Sequence, residues 1–154
     1  MRNPIQELSR LIHSSKHIVA FTGAGISTES GIPDFRSPGG IWSKVKPIMF
    51  DDFLRSKAAR KDAWNRKIRL HEELKRAKPN RGHRVLASLI KDGLMSVVIT
   101  QNIDGLHQMS GIPEDKVIEL HGNATYAVCL DCGRRFSLEA ILKKFEKTQI
   151  PPAC

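Results

Sequence analysis

The sequence predicts an α/β fold built on a Rossmann-like parallel sheet. Three observations predict it. Three short apolar runs, "HIVAF", "SVVIT" and "VIEL", have strand length and β-branched content. Segments of helical periodicity separate them, and strands alternating with helices indicate parallel pairing. Each run gives way directly to glycine or to polar residues, as strands do where they leave a sheet.

The elements follow in chain order. Asn3 before Pro4 reads as a cap and first helical residue, and Ile5, Leu8, Leu11 and Ile12 repeat at helical spacing, so residues 4–15 form an amphipathic helix. His17 to Phe21 is a short buried strand. Residues 22–50 read as a long loop with short helical pieces. "RKDAWNRKIRLHEELKRAK" is helical and stops at Pro79. Asn80 caps the next helix, whose apolar face is Val85, Leu86, Leu89 and Ile90, and Gly93 ends it. "SVVIT" is the second buried strand and "VIEL" the third, with a helical turn from Gly105 to Ser110 between them. "CLDCGRRF" is a polar knuckle, and Ser137 starts a last helix. The domain reading is a sheet domain over 1–50 and 81–125, a helical insertion over 51–80, and a small cysteine module from 126 to 154.

Composition narrows the function classes. At 154 residues, 40% of them apolar and 27% charged, the chain suits one domain plus a small module. No apolar run nears the roughly 18 residues of a membrane span, and "MRNPIQELSR" lacks a secretory signal's apolar stretch. Three cysteines, an odd number, argue against a disulfide framework. A cytoplasmic protein with no membrane partner is expected. The net charge of +9 is uneven, with 13 Lys/Arg against 3 Asp/Glu between Arg55 and Lys91. With only Trp64 as an aromatic there, this basic stretch reads as a solvated helix face that attracts nucleic acid non-specifically at most.

The strand ends define a candidate site. Gly23-Ala24-Gly25 follows the first strand, where a doubly wound fold places its phosphate-binding turn; glycine opens backbone angles closed to other residues and lets a ligand approach the main chain. The third glycine of the dinucleotide fingerprint is replaced by Thr28. The second strand ends in Gln101-Asn102-Ile103-Asp104 and the third in His121-Gly122. Asn102 or Asp104 equally suits capping of the next helix. The other five histidines, His83 and His107 among them, read as structural. Cys129 and Cys132 form a Cys-x-x-Cys able to chelate a tetrahedral zinc. A redox pair is the rival, although no helix N-terminus follows at once to acidify a thiol. Cys154 follows after 21 intervening residues, a third ligand in a four-cysteine plan.

"GAGIS", "GIPDFR", "TQNID" and "HG", followed by Cys-x-x-Cys, resemble the sirtuins, NAD-dependent protein deacylases, from Gly23 to Cys154. The resemblance implies that Gly23, Ala24, Gly25 and Thr28 lie along NAD. It puts Asp34, Phe35 and Arg36 in a cofactor-binding loop, Phe35 shielding the reaction from water. Gln101 and Asn102 contact ribose, Ile103 and Asp104 form the nicotinamide site, and His121 is the general base. In the implied reaction the acyl oxygen of a modified lysine on a protein substrate attacks the nicotinamide ribose. Nicotinamide leaves, and free lysine and O-acyl-ADP-ribose result. A structural Zn2+ is implied at Cys129, Cys132 and Cys154. The resemblance also implies that the chain is the N-terminal portion of the family core, inactive alone, without the adenosine half of the pocket or the fourth cysteine. Mono-ADP-ribosyl transfer or NAD glycohydrolysis shares the first step and is the enzymatic alternative. A basic zinc-ribbon nucleic-acid-binding protein is the non-enzymatic one. Sirtuins that prefer acidic acyl groups carry a Tyr-x-x-Arg pair before "KPN"; this chain has no tyrosine there, although Arg66 and Arg69 are candidates for the acyl pocket.

Overall fold

A computed structural model gives the fold and describes residues 3–35 and 37–153. Helix α1 (Pro4–Ser14), strand β1 (Val19–Thr22) and a 3-10 helix (Ala24–Ser30) come first. Helices α2 (Ile41–Lys44), α3 (Phe50–Arg55), α4 (Lys57–Arg76) and α5 (Arg81–Lys91) follow. Strand β2 (Val97–Thr100), helix α6 (Leu106–Met109) and strand β3 (Val117–Glu119) lead to strands β4 (Tyr126–Val128) and β5 (Arg135–Ser137) and helix α7 (Leu138–Thr148). They form two compact units, each made of two stretches of chain. The first runs to Gly31 and resumes from Lys78 to Gly122; the second holds Ile32–Ala77 and the chain from Asn123.

The first unit contains a parallel sheet in the order β1-β2-β3. Thr22 pairs with Thr100, and Thr100 with Glu119, so all three strands end at one edge of the sheet. One face is packed. Met95, Val98 and Ile112 are buried there against Ala20, Leu86, Leu89, Ile90 and Val117. Burying side chains of this size contributes about 1.5–3 kcal/mol each. Helix α5 meets this face because Asn80 starts it in the right place. The Asn80 side chain accepts from the N–H groups of Gly82 and His83, and the His83 ring accepts from the Asn80 N–H, closing a capping box. Gly93, at φ +71°, lets the chain turn back after α5.

The other face differs from expectation. Val19, Phe21 and Ile118 are exposed, Phe21 at 63%. An apolar run alone predicts burial on both sides, but alternate residues of a strand point to opposite faces, and among the described residues only the face bearing Ala20 and Val98 has helices packed on it. The apolar side of α1 is likewise exposed at Ile5, Leu8 and Leu11. Its cap is as the sequence implies, with the Asn3 carbonyl oxygen of the side chain accepting from the Ile5 N–H. Val85, assigned to the apolar face of α5, is also exposed.

In the second unit, Ser56 separates α3 from α4 and caps α4 by accepting from the Ala59 N–H. Arg60 reaches back to donate to the carbonyls of Phe53 and Leu54, which α3 leaves unsatisfied at its end. Leu138, Leu142 and Phe145 follow a helical stripe on α7 and are buried, with Trp64 of α4 against the Phe145 ring at 6.3 Å. The cysteine knuckle is the turn of an antiparallel hairpin, β4 on β5, with Val128 opposite Arg135. The sequence does not reveal this hairpin, because strands of three residues, half-buried at Tyr126 and Ala127 and exposed throughout β5, carry too little alternation to register. The Cys129 N–H donates to the Arg134 carbonyl, and the Cys129 carbonyl accepts from Gly133, whose φ of +70° favours glycine.

Candidate active site

The carboxyl ends of β1, β2 and β3 bring together most of the sequence-selected residues. The Gln101 N–H donates to the Thr22 carbonyl at 3.0 Å, extending the ladder one step past the strands. Asn102 then binds back to the glycine turn. Its side-chain amide donates to the Gly23 carbonyl at 3.0 Å and to the Ser27 hydroxyl at 3.1 Å. Ser27, fully buried, donates in turn to one carboxylate oxygen of Asp104 at 2.7 Å. The other Asp104 oxygen accepts from the N–H of Leu106, the first residue of α6, at 3.0 Å, although Gly105 and not Asp104 is the N-cap of that helix. Both Asp104 oxygens are thus held by donors of the first unit. Ser27 stands inside the quoted "GAGIS" but carries no signal of its own; only its burial between Asn102 and Asp104 reveals it as the joint of the site.

His121 follows β3 and is exposed, with Nδ1 2.9 Å from the Gln101 carbonyl oxygen. A carbonyl only accepts, so Nδ1 carries the proton and Nε2 holds the lone pair. Gln108 donates to Glu119 at 2.7 Å and ties α6 to β3 just before it.

The glycines of the turn have a different basis from the one expected. Neither Gly23 nor Gly25 has a positive φ. A Cβ added at Gly25 meets nothing within 4 Å. Backbone strain and packing thus do not require glycine there, and what remains is the close approach of something to the main chain. Beside it lies a cleft of about 660 Å³, lined by Gly25, Ile26, Thr28 and Glu29, by Phe21 and Thr22, and by the start of α5. Gln101, Asp104 and His121 do not line it. The Thr28 hydroxyl donates to the Gly25 carbonyl and braces the turn from within.

Two histidines left as structural lie under this site. His83 and His107 are fully buried, with ring centroids 5.1 Å apart. His107 Nε2 is 2.9 Å from the Thr22 hydroxyl. Burial pushes both rings below the ordinary imidazole range.

The loop residues belong to the second unit. The Asp34 carboxylate accepts from the N–H and hydroxyl of Ser37, and its carbonyl accepts from the Ile41 N–H. Gly40 is required here, since a Cβ would come within 2.9 Å of the Asp34 carbonyl, the Asp34 carboxylate and the Ser37 carbonyl. Phe35 is 42% exposed. Arg36 lies outside the described residues. Of the metal set, Cys129 and Cys132 sit on the hairpin turn and Cys154 lies outside the described residues. Among the described residues no group of three or more His, Cys, Asp or Glu is arranged for a metal. No helix among them is long and apolar enough to cross a membrane. Arg66 is held by Asp62 at 2.6 Å and by the Lys46 carbonyl.

Ligands of open parallel sheets lie beyond the carboxyl ends of the strands, where the polar groups of the first unit gather. Fold and site together define a Rossmann-like α/β protein of the ligand-binding kind. The sequence profile of the Sir2 family matches residues 23–154, and the chain belongs to that family. It is 52% identical over 150 residues to the NAD-dependent protein deacetylase of Rhodopseudomonas palustris, covering 97% of this chain and 59% of that protein. The NAD-dependent protein deacetylase 1 of Bradyrhizobium diazoefficiens is 51% identical over 151 residues, covering 98% of this chain and 59% of the relative. Among solved structures, a Sir2–p53 peptide–NAD+ complex superposes with a TM-score of 0.81 at 38% identity, covering 98% of this chain and 59% of that one. A Sir2 bound to acetylated peptide gives 0.81 at 36% identity, covering 100% and 59%. The chain thus spans about 59% of the length of the relatives it matches.

Proposed function

We propose that this chain carries the reacting centre of an NAD-dependent protein-lysine deacylase. The observation that carries the reading is the His121 ring, whose Nδ1–H is fixed on the Gln101 carbonyl so that Nε2 is left to take a proton. Exposed at a strand end, beside the glycine turn and the Asn102–Ser27–Asp104 chain, it has the place and tautomer of a general base.

The residues suit NAD. The space over Gly25 admits a ligand against the backbone, and Thr28 lines the same cleft; Gly23 and Ala24 are assigned to the cofactor as the neighbouring residues of the same turn. NAD, when bound, supplies an electrophilic ribose carbon and nicotinamide as leaving group. Asp104 is oriented by two donors, Ser27 and the Leu106 N–H, so its carboxylate is preorganised for a carboxamide without reorganisation. Ile103 gives that site an apolar wall, Gln101 offers its amide to the ribose, and Asn102, whose NH2 is held by Gly23 and Ser27, offers its side-chain oxygen. Phe35 and Arg36 are assigned to the cofactor-binding loop by the family resemblance alone, Phe35 as the residue that keeps water from the reaction. His121 Nε2 withdraws the ribose hydroxyl proton that lets oxygen attack the acyl carbon. Protein acyl-lysine is the substrate class, supported by the relatives named deacetylase and by the Sir2 structure with an acetylated peptide. A neutral acyl chain is favoured, since Arg66 is already held by Asp62 and Lys46.

Zinc is the second part of the reading. Cys129 and Cys132 at the two-residue spacing of a chelate, on a tight hairpin turn, with Cys154 as a third thiolate, suit a structural Zn2+.

The test is incubation of the intact protein with an acetyl-lysine peptide and NAD. Deacetylated peptide, nicotinamide and O-acetyl-ADP-ribose in equal amounts are expected, and His121→Ala lowers the rate by about 10²–10⁴-fold with the fold intact. Peptide-independent release of ADP-ribose, or its transfer to protein, would replace deacylation by glycohydrolysis or ADP-ribosyl transfer.

A further inference from the structure

We propose that His83 and His107 form a proton-operated latch that holds the 3-10 helix of the glycine turn in place while both rings are neutral and releases it on acidification. The geometry of Asn80 carries the inference. Its backbone N–H donates to His83 Nδ1 at 3.3 Å. Its side chain donates to the Ile26 carbonyl at 2.7 Å and to the Ser30 hydroxyl at 3.0 Å. Asn80 thus joins the 3-10 helix to α5, and the His83 ring holds the backbone end of that joint.

The tautomer follows from the contacts. Nδ1 of His83 accepts, so its proton is on Nε2, a buried atom with no hydrogen-bond partner. A second proton has one place to go, Nδ1. It would turn the acceptor of the capping box into a donor facing the Asn80 N–H, and the contact would become repulsive. At His107, Nε2 meets the Thr22 hydroxyl and the buried Nδ1 has no partner. Charge on both rings would set two cations about 5 Å apart in a site with no water contact.

Burial opposes the charged form of each ring most strongly. Asp104, on the segment before α6, favours protonation of both; Arg84, on α5, opposes it at His83, and His83 opposes it at His107. β1 presents the neutral hydroxyl of Thr22. The sign follows. Both folded rings stay neutral below the ordinary value of 6.5, where the unfolded chain takes up protons, so stability is full above 6.5 and falls as pH drops. At pH 5.5 each ring that stays neutral lowers the folding constant about 11-fold, and two lower it about 120-fold. The latch is independent of the reaction the site performs.

The experiment compares denaturant unfolding of the intact protein at pH 7.5 and 5.5 with that of His83→Gln. Glutamine suits the third helical position of a capping box and accepts from the Asn80 N–H without titrating. The variant is expected to lose less of its folding constant on acidification than the wild type, by up to about 10-fold. An equal loss, within twofold, overturns the latch. NMR of the wild-type imidazoles is the second measurement and needs no variant. Rings neutral down to pH 5.5, with amide shifts of Ile26 to Ser30 moving only when they charge, support it. Rings titrating at 6.5, or amides that do not follow them, overturn it.

Discussion

Replacing Ser27 by alanine removes one oxygen and disturbs three residues. The hydroxyl is fully buried, donates to the Asp104 carboxylate at 2.7 Å and accepts from Asn102 at 3.1 Å. A hydrogen bond to a charged group is worth about 1.5–3 kcal/mol and a neutral one about 0.5–1.5. Asp104 keeps its second oxygen on the Leu106 N–H, and Asn102 keeps the Gly23 carbonyl, which places the cost near the middle of the summed range, at about 3 kcal/mol. For a chain of this size that is a fall of roughly 5–15 °C in melting temperature. Thr28→Ala is the control, because its exposed hydroxyl makes one local bond to the Gly25 carbonyl. Urea denaturation followed by circular dichroism, with equal slopes for both variants, gives the comparison. A Ser27→Ala protein within about 0.5 kcal/mol of Thr28→Ala would refute the account of Ser27 as the joint between turn and strand end.

Three further outcomes are expected. Gly25→Ala adds a Cβ with nothing within 4 Å, so its melting point stays within a few degrees of wild type while NAD affinity by calorimetry falls; unchanged affinity would remove NAD from this turn. Gly40→Ala forces a Cβ to 2.9 Å from three oxygens, and loop movement costing about 1–3 kcal/mol should open residues 34–41 to limited proteolysis, whereas an unchanged cleavage pattern would show that the loop yields freely. Cys129→Ala should lower zinc content by atomic absorption and the melting point together, since metal binding and folding are coupled; full zinc with an unchanged melting point would dismiss the thiolate site.

The strand ends were legible because three apolar runs each break into polar residues, and pairing them in parallel leaves no choice but to gather Gly23, Gln101 and His121 at one edge. The caps at Asn3, Asn80 and Ser137 were legible for a local reason, since each needs only its own next few residues. What was illegible depends on distant partners. Phe21 looks buried in a run of apolar neighbours, yet which face a helix covers is decided by α5, far along the chain. Ser27 and the two inner histidines are ordinary letters until burial supplies Asn102, Asp104 and Thr22 as neighbours. Gly25 was singled out for backbone freedom and for close approach of a ligand; its φ is not positive, so the first reason falls away and the empty space beside it leaves the second.

The order of the sheet has a consequence for how the chain acquires it. β2 pairs with β3 across a short excursion, Val98 with Val117, but β1 pairs with β2 across the whole of α2 to α5, Val19 with Val97. The second loop is about four times longer, and closing it costs roughly 1 kcal/mol more in chain entropy. β2 and β3 therefore nucleate together, and β1 joins late. During synthesis the order of appearance is the reverse: β1 leaves the ribosome before β2, with Val19 and Phe21 uncovered, and waits for some seventy further residues before its partner exists. The strand that bears the glycine turn is thus made before β2 and secured after β2 and β3 have paired, and a nascent chain stalled between residues 31 and 97 would present it to chaperones or to other copies of itself.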